Sequence, residues 1–250
     1  MSYIFEICTN GVESLKAAIK AKAQRVELCS CLVEGGITPS FGTLEKCLSL
    51  AHNKILVNVL IRARGGDFLY SDDEIDIMSS DIKNAVSLGV NAIVIGALNK
   101  DGSIDRRALD KWVKEANGTS ITFHRAFDMC NNPFKAIDIL KEYGIDRILS
   151  SGQKQNALQG ALNLKDYQEY ASGSITFIAG SGIKADNIQE IAKISNLHEF
   201  HFSGKCSVPS LMEFRQDSVS MSSPCVTIDE YLKDQSSFSY IKDTMASLIK

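Results

Sequence analysis

Ionisable and polar side chains recur at every second position of runs that are otherwise apolar. Glu6 and Cys8 alternate with Phe5 and Ile7, and Arg25, Glu27 and Cys29 alternate with Val26 and Leu28. Asn58, Leu60 and Arg62 keep that period, as do Thr122 with His124 and Glu199 with His201 and Ser203, and Ser150 is assigned to the same set. A period of two places alternate residues on opposite faces of a strand. The polar set is therefore assigned to an interior and the apolar set to a layer of packed helices. An unpaired buried charge costs several kcal/mol, so these groups must pair, meet water or hold a ligand. For any one residue an internal ion pair, such as Arg25 with Glu6 or Glu27, is the simpler reading. For a set drawn from several strands and gathered toward their ends, a ligand or catalytic pocket is the better one.

Three chemistries fit these residue types. Cys8 and Cys29 fall at the ends of neighbouring strands, whose separation is about 4.7–4.9 Å, so two inward thiolates can hold a soft metal. Such ligands favour Cu(I), with Zn(II) as the rival, and buried cysteines that merely pack are the alternative. Cys31, two residues beyond Cys29, and Met129-Cys130, after the fifth strand beside His124, are further soft donors. Glu27 and His124 suit general acid–base work, because imidazole titrates near neutrality and burial can push a glutamate there. Arg62 and Arg64 in Arg62-Ala63-Arg64-Gly65-Gly66-Asp67 can clamp a carboxylate or phosphate. Gly180-Ser181-Gly182 and Ser203-Gly204-Lys205 follow the seventh and eighth strands, where barrels commonly bind phosphate. From these loops Arg62, Arg64, Gly180, Gly182, Ser203 and Lys205 are expected to bind an anion, and Glu6, Arg25, Asn58 and His201 to line the same pocket. His52 and His198 fall near helix ends and are expected to face solvent. No nucleophile elbow, P-loop or HExxH helix is present.

The elements that position these residues are eight strand-like runs: 3–8, 25–29, 55–62, 92–98, 120–125, 147–150, 174–179 and 199–202. Helical spacing separates them, as in Val12-Leu15-Ala18-Ile19 and Ile75-Met78-Ile82-Ala85. Several helices end in a similar turn, Gly89-Val90-Asn91 and Gly144-Ile145-Asp146 most clearly, and less regularly at Ala23 and Asn196. The expected fold is α/β, a (β/α)8 TIM barrel in a single domain over residues 1–205, with a doubly wound open sheet as its competitor. Residues 206–250 change composition, with four serines between Ser218 and Ser223, and are read as an extension that completes the barrel or forms an oligomer contact.

The chain has 250 residues, 44% hydrophobic and 23% charged, with a formal charge of −3, which fits a folded globular protein without a nucleic-acid or anionic-membrane surface. No apolar stretch approaches the roughly 20 residues of a membrane helix. The start lacks the pattern of a secretory signal, so an intracellular reducing compartment is expected and the seven dispersed cysteines read as thiols.

A family resemblance rests on longer strings. Glu27-Leu28-Cys29, Glu34-Gly35-Gly36 with Thr38-Pro39-Ser40, Arg64-Gly65-Gly66-Asp67-Phe68-Leu69-Tyr70-Ser71-Asp72, Thr122-Phe123-His124-Arg125-Ala126-Phe127-Asp128-Met129, Ser151-Gly152-Gln153 and Glu199-Phe200-His201 resemble the CutC copper homeostasis family over residues 3–205. The tail, with Glu213-Phe214-Arg215 and Ser218-Val219-Ser220-Met221, resembles animal members. The resemblance implies a TIM barrel in the cytoplasm, with the nucleus as a second location, forming a small homo-oligomer associated with copper tolerance. It also implies Cu(I) binding, with Cys8 and Cys29 matching the cysteines proposed to hold it. The alternative is a barrel enzyme acting on a small anionic or phosphorylated metabolite. The chain departs from the family pattern at Ala63, Ala179-Gly180-Ser181-Gly182 and Gly204-Lys205.

Overall fold

The computed structural model describes residues 2–221 and 228–249. Ser222 and Ser223 of the tail serine cluster lie outside the described residues. Eight parallel strands close into a barrel in chain order: β1 (Ile4–Thr9), β2 (Arg25–Leu28), β3 (Leu56–Leu60), β4 (Ala92–Ile95), β5 (Ser120–Phe123), β6 (Arg147–Ser150), β7 (Thr176–Gly180) and β8 (Glu199–Phe202). The intervening helices are α1 (Val12–Ala21), α2 (Phe41–Ala51), α3 (Asp72–Ser87), α4 (Arg106–Ala116), α5 (Pro133–Glu142), α6 (Ala161–Ala171) and α7 (Ile188–Ser195). The (β/α)8 expectation is met, and the pairing of β1 with β8 excludes the open sheet.

Local sequence explains where the helices start and stop. Ser71 and Glu74 form a reciprocal capping box on α3, Asp105 caps α4, and Asn132 with Pro133 opens α5. Lys22, Gly89, Gly144 and Asn196 take positive φ at the helix-to-strand turns. In each turn the next apolar residue (Ala23, Val90, Ile145 or Leu197) is buried beneath the barrel.

The two strand faces differ as the alternation requires. Phe5, Ile7, Val26, Leu28, Val57, Val59, Ile93, Ile95 and Phe200 join the helix-facing core, whereas Cys8, Cys29, Leu60 and Val94 form a separate apolar cluster with Leu32. Register then sets the interior layers. Glu6 lies level with Arg25 on one side and His201 on the other, and Cys8 lies level with Glu27, which lies level with Asn58.

Strand six corrects one assignment. Thr122 pairs with Arg147, so Arg147 and Leu149 share the inward face, and Ser150 turns out to donate to Asp128 at 2.6 Å. The fourth strand ends at Ile95, short of the expected Leu98. A side chain at Gly96 would come within 2.5 Å of the His124 ring, so the chain there must be bare.

Beyond residue 205 an antiparallel pair, β9 (Lys205–Pro209) and β10 (Leu232–Ser236), precedes α8 (Phe238–Ile249), which packs against α1 and α7. The eighth helix of the ring is thus drawn from the tail. No helix among the described residues is long and apolar enough to cross a membrane.

Two glycines give opposite expectations. A Cβ at Gly160 would sit 1.9 Å from the Ser151 carbonyl oxygen, so Gly160→Ala must move backbone and is expected to cost about 1–3 kcal/mol or more. Gly42, in the first turn of α2, has open space around it, and Gly42→Ala is expected to stabilise by up to about 1 kcal/mol. Urea midpoints at unchanged m-value measure both.

Candidate functional site

At the centre of the barrel Glu6 is shared by three donors. Its Oε2 accepts from Arg25 Nε at 2.6 Å and Asn58 Nδ2 at 2.9 Å, and its Oε1 accepts from His201 Nδ1 at 2.7 Å. Arg25 reaches on to Glu199 at 2.5 Å, and Arg147 Nε lies 3.6 Å from the same oxygen. Burial alone would raise the Glu6 carboxyl, but Arg25 and His201 overcome it and hold the group at about 2. Burial likewise opposes charge on His201, yet Glu27 and the contacts to Cys8 and Glu6 drive its imidazole well above the ordinary range.

His201 faces a second carboxylate on its other edge, with Nε2 3.8 Å from Glu27 Oε2. Burial pushes Glu27 up to about 7, the Glu6 charge adding and the His201 charge opposing. Cys8 completes a cluster in which its Sγ, a Glu27 oxygen and a His201 nitrogen all lie within 4.8 Å of one another. The Cys8 Sγ is also 3.8 Å from Cys29 Sγ, and contact with that thiol, together with burial, raises the Cys8 pKa well above the usual value. Cys29 donates to the Thr9 carbonyl at 3.4 Å. The other soft donors are elsewhere: Cys31 and Met129 are exposed, and Cys130 is buried in contact with Gln153.

Above this floor opens a cavity of about 960 Å³, lined among others by Cys8, Glu27, Arg62, Phe68, His124 and His201. Gly182, Ser203 and Lys205 lie on its rim, while Gly180 is packed so closely that a Cβ would meet Leu149 at 2.5 Å. The expected clamp of two guanidiniums does not form. Arg62 donates to the carbonyls of Glu34, Gly36 and Gly66, at 2.8, 2.9 and 2.7 Å, and so staples two loops together. Arg64 turns to Glu74 at 2.5 Å and Asp67 at 3.1 Å and does not line the cavity. Lys205 is paired with Asp234 at 2.8 Å, on a strand pair that sequence alone did not show.

His124 is also placed differently from the expected base. Burial, with Arg62 adding, lowers its pKa to about 3, so the imidazole is neutral near pH 7. Its Nδ1 accepts from the Ala126 backbone N–H at 3.1 Å, which leaves the proton on Nε2. It can donate a hydrogen bond but is too weak a base to take a proton at neutrality. His198, expected in solvent, is half-buried against Tyr3, whereas His52 is exposed as expected. The inward Arg147, Phe68 on the loop after β3 and Arg125 beside Asp128 were missed. The phase of strand six held the signal for the first, and the other two were marked only by lying within the family-like strings 64–72 and 122–129.

Replacing Glu6 by Gln leaves Arg25 and His201 short of a buried counter-charge and is expected to cost about 3–5 kcal/mol at neutral pH. The folded Glu6 pKa lies below its ordinary 4.5, so its stabilisation is complete above that value and is lost as pH falls toward 2. Denaturation midpoints across this range are expected to converge for wild type and Glu6→Gln.

The chain matches the CutC family model over residues 3–206. A CutC from Bacteroides fragilis is 42% identical over 247 residues, covering 99% of this chain and 98% of that protein. One from Glaesserella parasuis is 42% identical over 208 residues, covering 83% and 85%. The structure of a CutC from Streptococcus agalactiae, described as a candidate copper homeostasis protein, superposes with a TM-score of 0.77 at 35% identity and covers 80% of this chain and 98% of that one. The Bacteroides match runs through the tail, so the tail does not mark an animal-type member as its wording suggested. With the closed barrel and these matches spanning most of its length, the chain belongs to the CutC family.

Proposed function

We propose that the protein serves copper homeostasis by taking Cu(I) on Cys8 and Cys29 at the barrel mouth, with His201 as third donor. The observation that carries the reading is the pair of buried thiols 3.8 Å apart beside an imidazole and a carboxylate. At metal–sulfur bonds of about 2.3 Å, a linear pair would need its sulfurs about 4.6 Å apart, whereas 3.8 Å corresponds to an angle near 110° and leaves room for a third ligand. Cu(I) prefers thiolate and imidazole to carboxylate, which selects His201 over Glu27. Both thiols and the protonated His201 Nε2 must lose a proton on binding; Glu27 is the adjacent group able to accept one near neutrality, and the others leave to solvent. The Streptococcus agalactiae relative's description supports the assignment, which also calls for a reducing compartment such as the cytoplasm.

A second reading, a barrel enzyme acting on a small anionic metabolite, is favoured by one observation. The cavity is far larger than an ion, and at its floor Glu27, pushed up to about 7 by burial, faces the His201 imidazole at 3.8 Å and can trade a proton near neutrality.

Anaerobic competition against a Cu(I) chelator tests the first reading. Wild type is expected to bind one ion, Cys8→Ser/Cys29→Ser to lose that site while keeping its fold, and His201→Ala to bind at least tenfold more weakly. Unchanged affinity in the double variant would move the site to Cys31, Met129 or Cys130 and overturn the assignment.

A further inference from the structure

The cavity lining beside the thiols holds two groups that the copper reading leaves unused. Arg62 is buried, and its terminal nitrogens donate to three neutral backbone carbonyls. Among the described residues no carboxylate forms an ion pair with it. A buried guanidinium without a counter-charge is costly to keep. His124, also buried and lining the same cavity, carries its proton on Nε2, and that N–H has no partner. An unsatisfied buried donor costs about 1–3 kcal/mol. Both residues lie against Phe68: the Arg62 guanidinium carbon and the His124 ring each stand 5.0 Å from the centre of that ring.

The backbone around His124 is shaped to keep it there. Gly96 leaves room for the ring, because a Cβ would come within 2.5 Å of Cε1 and Nδ1. The Ala126 N–H fixes the tautomer. Phe68 is half-buried, lines the cavity and has its ring against both groups, so a ligand that reaches them must displace that ring.

From this arrangement we infer that the Arg62–His124 wall is a subsite for the carboxylate of a small organic acid, which becomes the counter-ion of Arg62 and accepts the His124 Nε2–H once Phe68 turns aside. One guanidinium charge and one neutral donor match a singly charged carboxylate. A phosphate dianion calls for more donors than this wall offers, its guanidinium terminal nitrogens being engaged with carbonyls. The inference rests on the second reading, that the cavity takes a small molecule, and narrows it to a chemical class and a position.

The test uses the metal-free full-length protein, titrated separately with pyruvate, malonate and inorganic phosphate. Melting temperature and the imidazole nitrogen resonances of isotope-labelled His124 are followed together. A carboxylate is expected to raise the melting temperature and shift the Nε2 resonance. His124→Phe is expected to weaken binding at least tenfold while still folding, and His124→Gln, which restores an N–H, to recover part of the loss. Lys83→Ala, remote from the cavity lining, is expected to leave carboxylate binding unchanged. If carboxylates bind equally well to His124→Phe and leave the His124 resonances unmoved, the subsite is wrong while the small-molecule reading stands. Binding of phosphate with carboxylates inert overturns the chemical class. No binding of any probe overturns the subsite and the small-molecule reading together, leaving copper binding untouched.

Discussion

The Glu6 carboxylate is the constraint on which the interior depends. Buried at the barrel centre, it is held by donors from β2, β3 and β8 at once, and each of those donors relies on it for compensation. Desolvating a carboxylate costs several kcal/mol, which only close and numerous partners return. Glu6 therefore fixes the edge that His201 presents to Glu27 and Cys8. It also directs Arg25 toward Glu199, and through Glu199 the network reaches Arg147 on β6. One hydrogen-bonded layer thereby joins the walls of the barrel and sets the floor of the cavity.

On that floor two neighbouring walls take different chemistry. The β1, β2 and β8 side offers thiols, an imidazole held by Glu6 and a carboxylate near its titration point, a set suited to a soft cation and its displaced protons. The β3 to β5 side offers an uncompensated guanidinium and a neutral N–H donor beneath an aromatic cover. The opposing His201 and His124 show how far environment sets the role of one residue type. Two carboxylates raise the first, while burial beside a cation depresses the second.

Period-two alternation was enough to find the barrel and most of its floor, because a strand buried on both faces has no other reason to carry Glu6, Arg25, Glu27, Asn58 and His201 on one parity. It failed where phase was ambiguous. Strand six offers both Arg147 and Ser150 as polar candidates, and only pairing with Thr122 decides between them. It also said nothing of how side chains at loop positions are consumed. Arg62 and Arg64 look like an anion clamp in sequence, but one is bound by carbonyls and the other by Glu74, partners that depend on loop geometry. The role of His124 turned on a backbone N–H two residues on and on Gly96 just past the end of β4, neither of which marks itself locally. What stayed hidden in the tail was the β9–β10 pair, which separates α8 from the strand it follows in the barrel.

The most direct measurement of the central claim is X-ray absorption at the copper edge on protein loaded with one equivalent of Cu(I) under anaerobic conditions. The geometry predicts two sulfur scatterers and one imidazole nitrogen, the nitrogen vanishing in a His201→Ala variant. A first shell of one sulfur, or a spectrum unchanged when Cys8 and Cys29 are both replaced by serine, would contradict the account.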